Sequence, residues 1–173
     1  APRRLVRPWS LGDEFHHDHQ CFECHPVTWR TLARHGVEVR GPAVAELEVF
    51  DDDSAVCDFV RENTNSYWRG VAGQIEQALA TSPDRDEFDA STVSWCTLGI
   101  ARMLVTARTG DVVSKTEAGR RTIDQFATDR ALLERAIDIR HGRSTTPVDR
   151  PMMGDTVRFV REVADEVEAT VRA

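Results

Sequence analysis

Lysine is almost missing from this chain: of 22 basic residues, 21 are arginine and only Lys115 is lysine. No stretch approaches the ~20 consecutive apolar residues needed to span a bilayer. The Arg-rich start, Ala1 to Ser10, has no apolar run behind it of the kind a signal peptide carries. A basic surplus is missing too. A formal charge of -7 argues against a general nucleic-acid binder, although the arginines leave room for a local basic pocket. Cysteine is sparse at four, two of them inside helical patterns, so reduced thiols in a cytoplasm are expected rather than a disulfide frame. Internal repeats and low-complexity tracts are absent.

What is present suits a soluble globule. A length of 173 residues fits one domain, or a domain with an appended arm, and the first residue is not methionine, so a piece of a longer product is expected. Residues 1–25 are mixed and read as short strands or an extended arm, and residues 26–173 as a helical domain. Pro26 and Gly36 bracket a short helix. Val37 to Phe50 reads as a helical turn followed by an extended piece over Glu46 to Phe50. A cap at Ser54 then starts a helix near Ala55, whose apolar spacing continues to Leu79 through a polar dip at Asn63 to Ser66. After a loop, Ala90 to Thr109 is apolar on nearly every face, as in the buried centre of a bundle. Further helices are expected over Lys115–Phe126 and from Thr128 or Asp129 to His141, with a last one capped by Asp155. That last helix carries a stripe of Val157, Val160, Val163, Val167 and Val171. The sum is an all-α bundle of about five helices with a short irregular or β-containing N-terminal arm.

Lys115 lies where one helix stops and the next starts. Gly110 is placed for a left-handed C-terminal cap, and Ser114 with Glu117 has capping-box spacing, so Lys115 falls in the first turn. That is the wrong helix end for a cation. An amine beside free N–H groups is what a phosphate chain would want, and a solvated surface lysine is the plain alternative.

The run Leu98-Gly99-Ile100-Ala101-Arg102-Met103-Leu104-Val105-Thr106, followed by Thr109-Gly110 and Ser114-Lys115-Thr116-Glu117-Ala118, resembles the helical C-terminal domain of aminoglycoside nucleotidyltransferases. More narrowly it is similar to the streptomycin/spectinomycin adenylyltransferase group, with its "L-A-R-I-W-x-T" helix leading into "T-G" and "S-K-x-x-A". The resemblance spans residues 26–172, and its specific part is 98–118. It implies an enzyme that binds ATP and Mg2+ between an N-terminal nucleotidyltransferase domain and this bundle, then transfers AMP to a hydroxyl of an aminoglycoside-like acceptor. Lys115 would contact the ATP phosphates, Arg102 would help hold the same charge, and Arg140 stands where the family has a tyrosine against the nucleotide. Thr92 and Trp95 occupy the places of the acidic residue and histidine that grip the drug, with Asp89 close by as a substitute.

The catalytic half is missing from this pattern. Such enzymes need a Gly-Ser pair followed by Asp-x-Asp for magnesium, and no Gly-Ser dipeptide occurs here. Asp51-x-Asp53 and Asp84-x-Asp86 read as helix-capping or loop charge, so this chain alone is expected to be inactive.

Two rival signals stand beside the resemblance. His16 to His25 packs four histidines and two cysteines into ten positions, with Cys21-x-x-Cys24-His25 as half of a zinc site or a haem-attachment motif, against a plain polar arm. Arg135 and His141 have the spacing of a HEPN-like helical ribonuclease, with histidine for proton transfer and arginine for phosphate. A non-catalytic partner-binding bundle is the third reading.

Overall fold

The computed structural model describes residues 9–17, 21 and 23–172. The chain forms two compact units, residues 1–55 and 56–173, whose boundary falls in the first turn of a helix. In the first unit β1 (Trp9–Leu11) pairs antiparallel with β2 (Glu14–His16). Gly12, at φ 61°, makes the turn in a left-handed backbone that glycine reaches without strain. Trp9 stacks on His16 across the pair, with ring centroids 4.1 Å apart. Helix α1 (Pro26–His35) runs between the expected proline and glycine, and His25 caps it through Nδ1, which accepts from the Thr28 N–H at 3.3 Å. The extended piece expected over Glu46 to Phe50 does not form. Val44–Leu47 is instead a 3-10 turn ending on Glu48 at φ 44°.

Asp51 and Asp53 belong to an arginine clamp. Arg30, 1% exposed, donates from Nε to Asp51 and from its terminal nitrogen to Asp53, both at 2.5 Å. Arg34 adds a bond to Asp51 at 2.9 Å. A buried guanidinium must have its donors satisfied, and these two carboxylates do that. The cap of α2 (Asp53–Asn63) is Asp52, whose Oδ1 accepts from the Ala55 N–H at 2.8 Å; Ser54, expected as the cap, donates to Asp52 instead.

The second unit is the bundle. Its polar dip becomes a π segment, Thr64–Trp68, between α2 and α3 (Arg69–Thr81). Counting that rod as one, six helices lie in the described residues. Helix α4 (Ala90–Thr109) is the hub, packed by α5 (Lys115–Ile123), α6 (Arg130–Arg140) and α7 (Arg150–Arg172). Asp89 starts α4 by accepting from the Ser91 N–H at 2.9 Å, and Gly110, at φ 70°, ends it as predicted. Helix α7 begins before the expected cap: Asp149 accepts from the Met152 N–H at 3.0 Å, Pro151 occupies the first turn, and Asp155 lies inside the helix. A two-residue bridge pairs Glu87–Phe88 with Val148–Asp149, so the starts of α4 and α7 lie together. Arg150 donates to the Leu79 carbonyl at 2.9 Å and to the Ser82 carbonyl, holding a cation at the C-terminal end of α3. The valines at 157, 160, 163 and 167 are buried as expected. Among the described residues no helix is long and apolar enough to cross a membrane.

One contact inside the bundle depends on a missing side chain. A Cβ at Gly99 would lie 2.2 Å from Trp68, which therefore lies directly against the α4 backbone. Gly99→Ala is expected to destabilise the bundle by about 1–3 kcal/mol through overpacking, measured by urea unfolding. In the first unit, burial raises the Asp51 carboxyl, but hydrogen bonds and charge from Arg30 and Arg34 outweigh it and hold the group below the ordinary value of 3.8. A depressed carboxylate contributes stability above that value and loses it as pH falls through the folded one. Hydrogen exchange of the α1 amides is expected to accelerate below about pH 4, and an Asp51→Asn variant to show the faster exchange already at neutral pH.

Candidate functional site

The sequence Thr109 to Ser114 dictates a stop, a short link and a restart. Ser114 caps α5 by accepting from the Glu117 N–H at 3.1 Å. The other half of the expected box is diverted, since the Glu117 carboxylate pairs with Arg121 at 2.8 Å. Lys115 is the first residue of α5 and is half-buried. Its neighbours are set by close helix packing. Ala101 and Val105 of α4 pack on Ala118 of α5, with Val113 against them. A Cβ on Gly119 would come within 2.7 Å of Leu98 and 3.2 Å of Ile137, so α5 lies tight on both α4 and α6. Thr116 Oγ1 and His141 Nε2 are 3.2 Å apart, joining the start of α5 to the end of α6.

This packing gathers cations. Burial lowers the Lys115 pKa below its ordinary value, and the charges of Arg102 on α4 and Arg140 at the end of α6 lower it further. Three residues that the resemblance groups around one nucleotide are thus electrostatically coupled. Among the described residues neither Lys115 nor Arg140 has a carboxylate partner or a side-chain hydrogen bond. Several other arginines of the bundle do: Arg69 pairs with Asp165, Arg108 with Glu166, Arg158 with the buried Asp129 and Arg161 with Glu76, whereas Arg135 and Arg150 bond to hydroxyls and carbonyls. Uncompensated cations, one of them half-buried, at a helix N-terminus create a potential that favours an anion.

Thr92 and Trp95 lie elsewhere on α4, in a groove of about 430 Å³ against the π segment and α3. Facing them are Tyr67, Gly70, Val71 and Ile75, with Ser66 and Gln74 as further polar members. The π segment matters because its wider turn re-aims consecutive side chains. Trp68 points into the core against Gly99, and Tyr67, 45% exposed, faces the groove. Trp95, 39% exposed, meets Tyr67 edge-on at 5.9 Å between centroids and rests on Trp68 at 5.2 Å. Asp89 does not line the groove. Its carboxylate is held by the Ser91 hydroxyl at 2.5 Å and by the Ser91 N–H, and these bonds keep its pKa low.

Cys96 links groove and cluster. It is fully buried; burial pushes its thiol up to about 12, with Lys115 pulling the other way. The Tyr67 phenol is also pushed up, first by burial and then by Cys96. The thiol therefore lies within electrostatic range of both the groove's tyrosine and the cluster's lysine. The apolar spacing that runs from Ala55 to Leu79 includes Tyr67 as a stripe position, and nothing in the sequence singles out Trp68, Cys96 or the role of Gly99. The polar dip before Tyr67 was the available signal.

The residues of the rival motifs have other partners. Arg135 donates to Ser144 and to the Thr146 hydroxyl, the latter at 2.6 Å, whereas the His141 ring meets Thr116. The two residues of the ribonuclease pattern are thus engaged with different elements. In the arm, His25 caps α1 and lies 3.4 Å from Glu23, and among the described residues no group of three or more His, Cys, Asp or Glu could hold a metal. His19, part of that motif, lies outside the described residues.

A comparison with known families places the bundle. Residues 59–166 match the family model described as aminoglycoside adenylyltransferase, C-terminal domain, which contains the groove, the hub helix and all three clustered cations. No curated protein and no solved structure matches the chain. On that match over more than half its length, the chain belongs to the family of aminoglycoside adenylyltransferase C-terminal domains.

Proposed function

We propose that this bundle is the ATP- and acceptor-holding half of an adenylyltransferase that moves AMP from ATP to a hydroxyl of an aminoglycoside-like small molecule. The observation that carries the reading is the electrostatic coupling of Lys115 with Arg102 and Arg140, drawn from three helices, together with a groove that Thr92 and Trp95 line on the same hub helix as Arg102. The cations would take the triphosphate. Charge that accumulates on the departing pyrophosphate is stabilised by preorganised positive groups, the main protein contribution to such transfers. The acceptor would enter the groove, whose tyrosine lies within electrostatic range of Cys96, itself a neighbour of Lys115. Asp89, as the α4 cap, would bear on the acceptor only by releasing Ser91.

Magnesium does not fit the residues present. Asp51 and Asp53 are engaged by Arg30 and Arg34, and Asp84 and Asp86 lie in an exposed loop. The family description implies a nucleotidyltransferase domain on the N-terminal side, and the Mg2+ carboxylates are assigned to that partner. The sparse cysteine content is in keeping with a cytoplasmic setting under this reading. The HEPN-like and partner-binding readings gain nothing comparable: one has its two residues, both at the end of α6, engaged with different partners, and the other has no observation of its own.

Isothermal titration of the chain with ATP and magnesium tests the assignment. Binding is expected to weaken about ten-fold or more in Lys115→Met and in Arg140→Gln, consistent with about 1.5–3 kcal/mol for a hydrogen bond to a charged group. Equal affinity in parent and variants would remove these cations from the nucleotide site, and AMP transfer by the chain alone would overturn the division of labour. Affinity is also expected to decline with rising pH before the ordinary lysine value of 10.5, because the crowded ammonium deprotonates early. The same lowered pKa costs the free fold stability below it and is relieved above it. Lys115→Met is therefore expected to melt no lower than the parent at pH 7, read by thermal denaturation.

A further inference from the structure

Helix α5 is held against both of its neighbours by small residues: Ala118 packs on Ala101 of α4, and a Cβ on Gly119 would meet Ile137 of α6 at 3.2 Å. Lys115 stands one turn before Ala118, and Arg102 follows Ala101, so this packing brings the stretch of α4 that carries Arg102 to the face of α5 that carries Lys115. Arg140 depends on something else, because it is the last residue of α6. Gly142, at φ 69°, closes that helix, with its N–H donating to the Ile139 carbonyl at 3.0 Å and the Arg143 N–H to the Asp138 carbonyl at 2.9 Å. The Arg143 guanidinium also holds the Asp138 carboxylate at 2.7 Å. On this fixed turn His141 sends its ring to α5, where Nε2 lies 3.2 Å from Thr116 Oγ1. Those two residues are the chain neighbours of Arg140 and Lys115. A neutral contact thus ties together the two backbone positions whose cations lack a carboxylate. Like charges brought close repel, and burial disfavours the ammonium further, so an untied pair would spread apart.

We infer that His141, acting through Thr116, is a positioning residue that sets the spacing of Arg140 and Lys115 for a single polyphosphate chain. This rests on the reading that these cations take the ATP phosphates. The ring makes the link in either form: a bare Nε2 accepts the hydroxyl proton, and a protonated one donates to the hydroxyl oxygen. The gain is preorganisation. An incoming anion meets two cations already at its own spacing and loses no affinity in ordering them.

Titration calorimetry of the 173-residue chain with inorganic tripolyphosphate tests the link without the nucleoside. His141→Ala and Thr116→Val are each expected to weaken binding about five-fold, within the range of one neutral hydrogen bond, and the double variant to lose no more than either alone. His141→Gln, which carries an amide nitrogen near the reach of Nε2, and Thr116→Ser, which keeps the hydroxyl, are expected to bind within about two-fold of the parent. Since the contact lies at the surface, all of these variants should melt within about 2 °C of the parent. The inference is overturned if His141→Ala and Thr116→Val bind as the parent does, if their losses add in the double variant, or if Gln and Ser fail to restore binding. Losses confined to variants that melt lower would assign the pair a structural role only, and would overturn it as well. Lys115→Met separates the two readings. Weaker binding in that variant with unchanged binding in His141→Ala leaves the phosphate assignment standing and removes this inference alone. Unchanged binding in Lys115→Met, or no saturable heat from the parent up to about 10 mM, removes both.

Discussion

A helix that is apolar all round has to be covered all round, and α4 imposes that requirement on every other element of the bundle. Thirteen of its twenty residues are buried. Helices α5, α6 and α7 pack against it, and the π segment covers a further part. The tightest point of this cover is Trp68 across Gly99, where glycine allows the indole to reach the helix backbone. From that contact the aromatic cluster builds outward to Trp95 and Tyr67, so the groove is a surface continuation of core packing.

Electrostatics then separates arginines held by carboxylates from those that are not. With an overall charge of -7, carboxylates are abundant, and most bundle arginines find one. Exposed pairs of this kind contribute little stability each. Their consequence is where they leave charge uncancelled. At the α4–α5–α6 junction Lys115 and Arg140 have no such partner among the described residues, and the helix N-terminus adds partial positive charge of its own.

Sequence reading succeeded where the signal was local. Pro26 and Gly36 bound α1, Gly110 and Ser114 bound the link before Lys115, and the apolar density of residues 90–109 identified the hub. It failed where two residues of equal capping ability compete. Asp52 caps α2 instead of Ser54, and Asp149 opens α7 ahead of Asp155. The pairing of Glu87–Phe88 with Val148–Asp149 brings Asp149 to the helix start, a long-range event with no trace in local spacing. The Asp51 and Asp53 carboxylates were read as caps because Arg30, more than twenty residues earlier, is invisible to a local argument.

What the chain determined by itself was the identity and order of its helices and the placement of a lone lysine in the first turn of one of them, because caps and apolar periodicity act over a few residues. Only the tertiary structure decided which charges meet and which stay uncompensated. It brought Arg102 and Arg140 to Lys115 through tight packing at Ala118 and Gly119, and it turned a polar dip into a π segment that sends Trp68 inward and Tyr67 out. Coulomb and packing energies depend on distance in space, and that distance exists only once the helices have closed around α4.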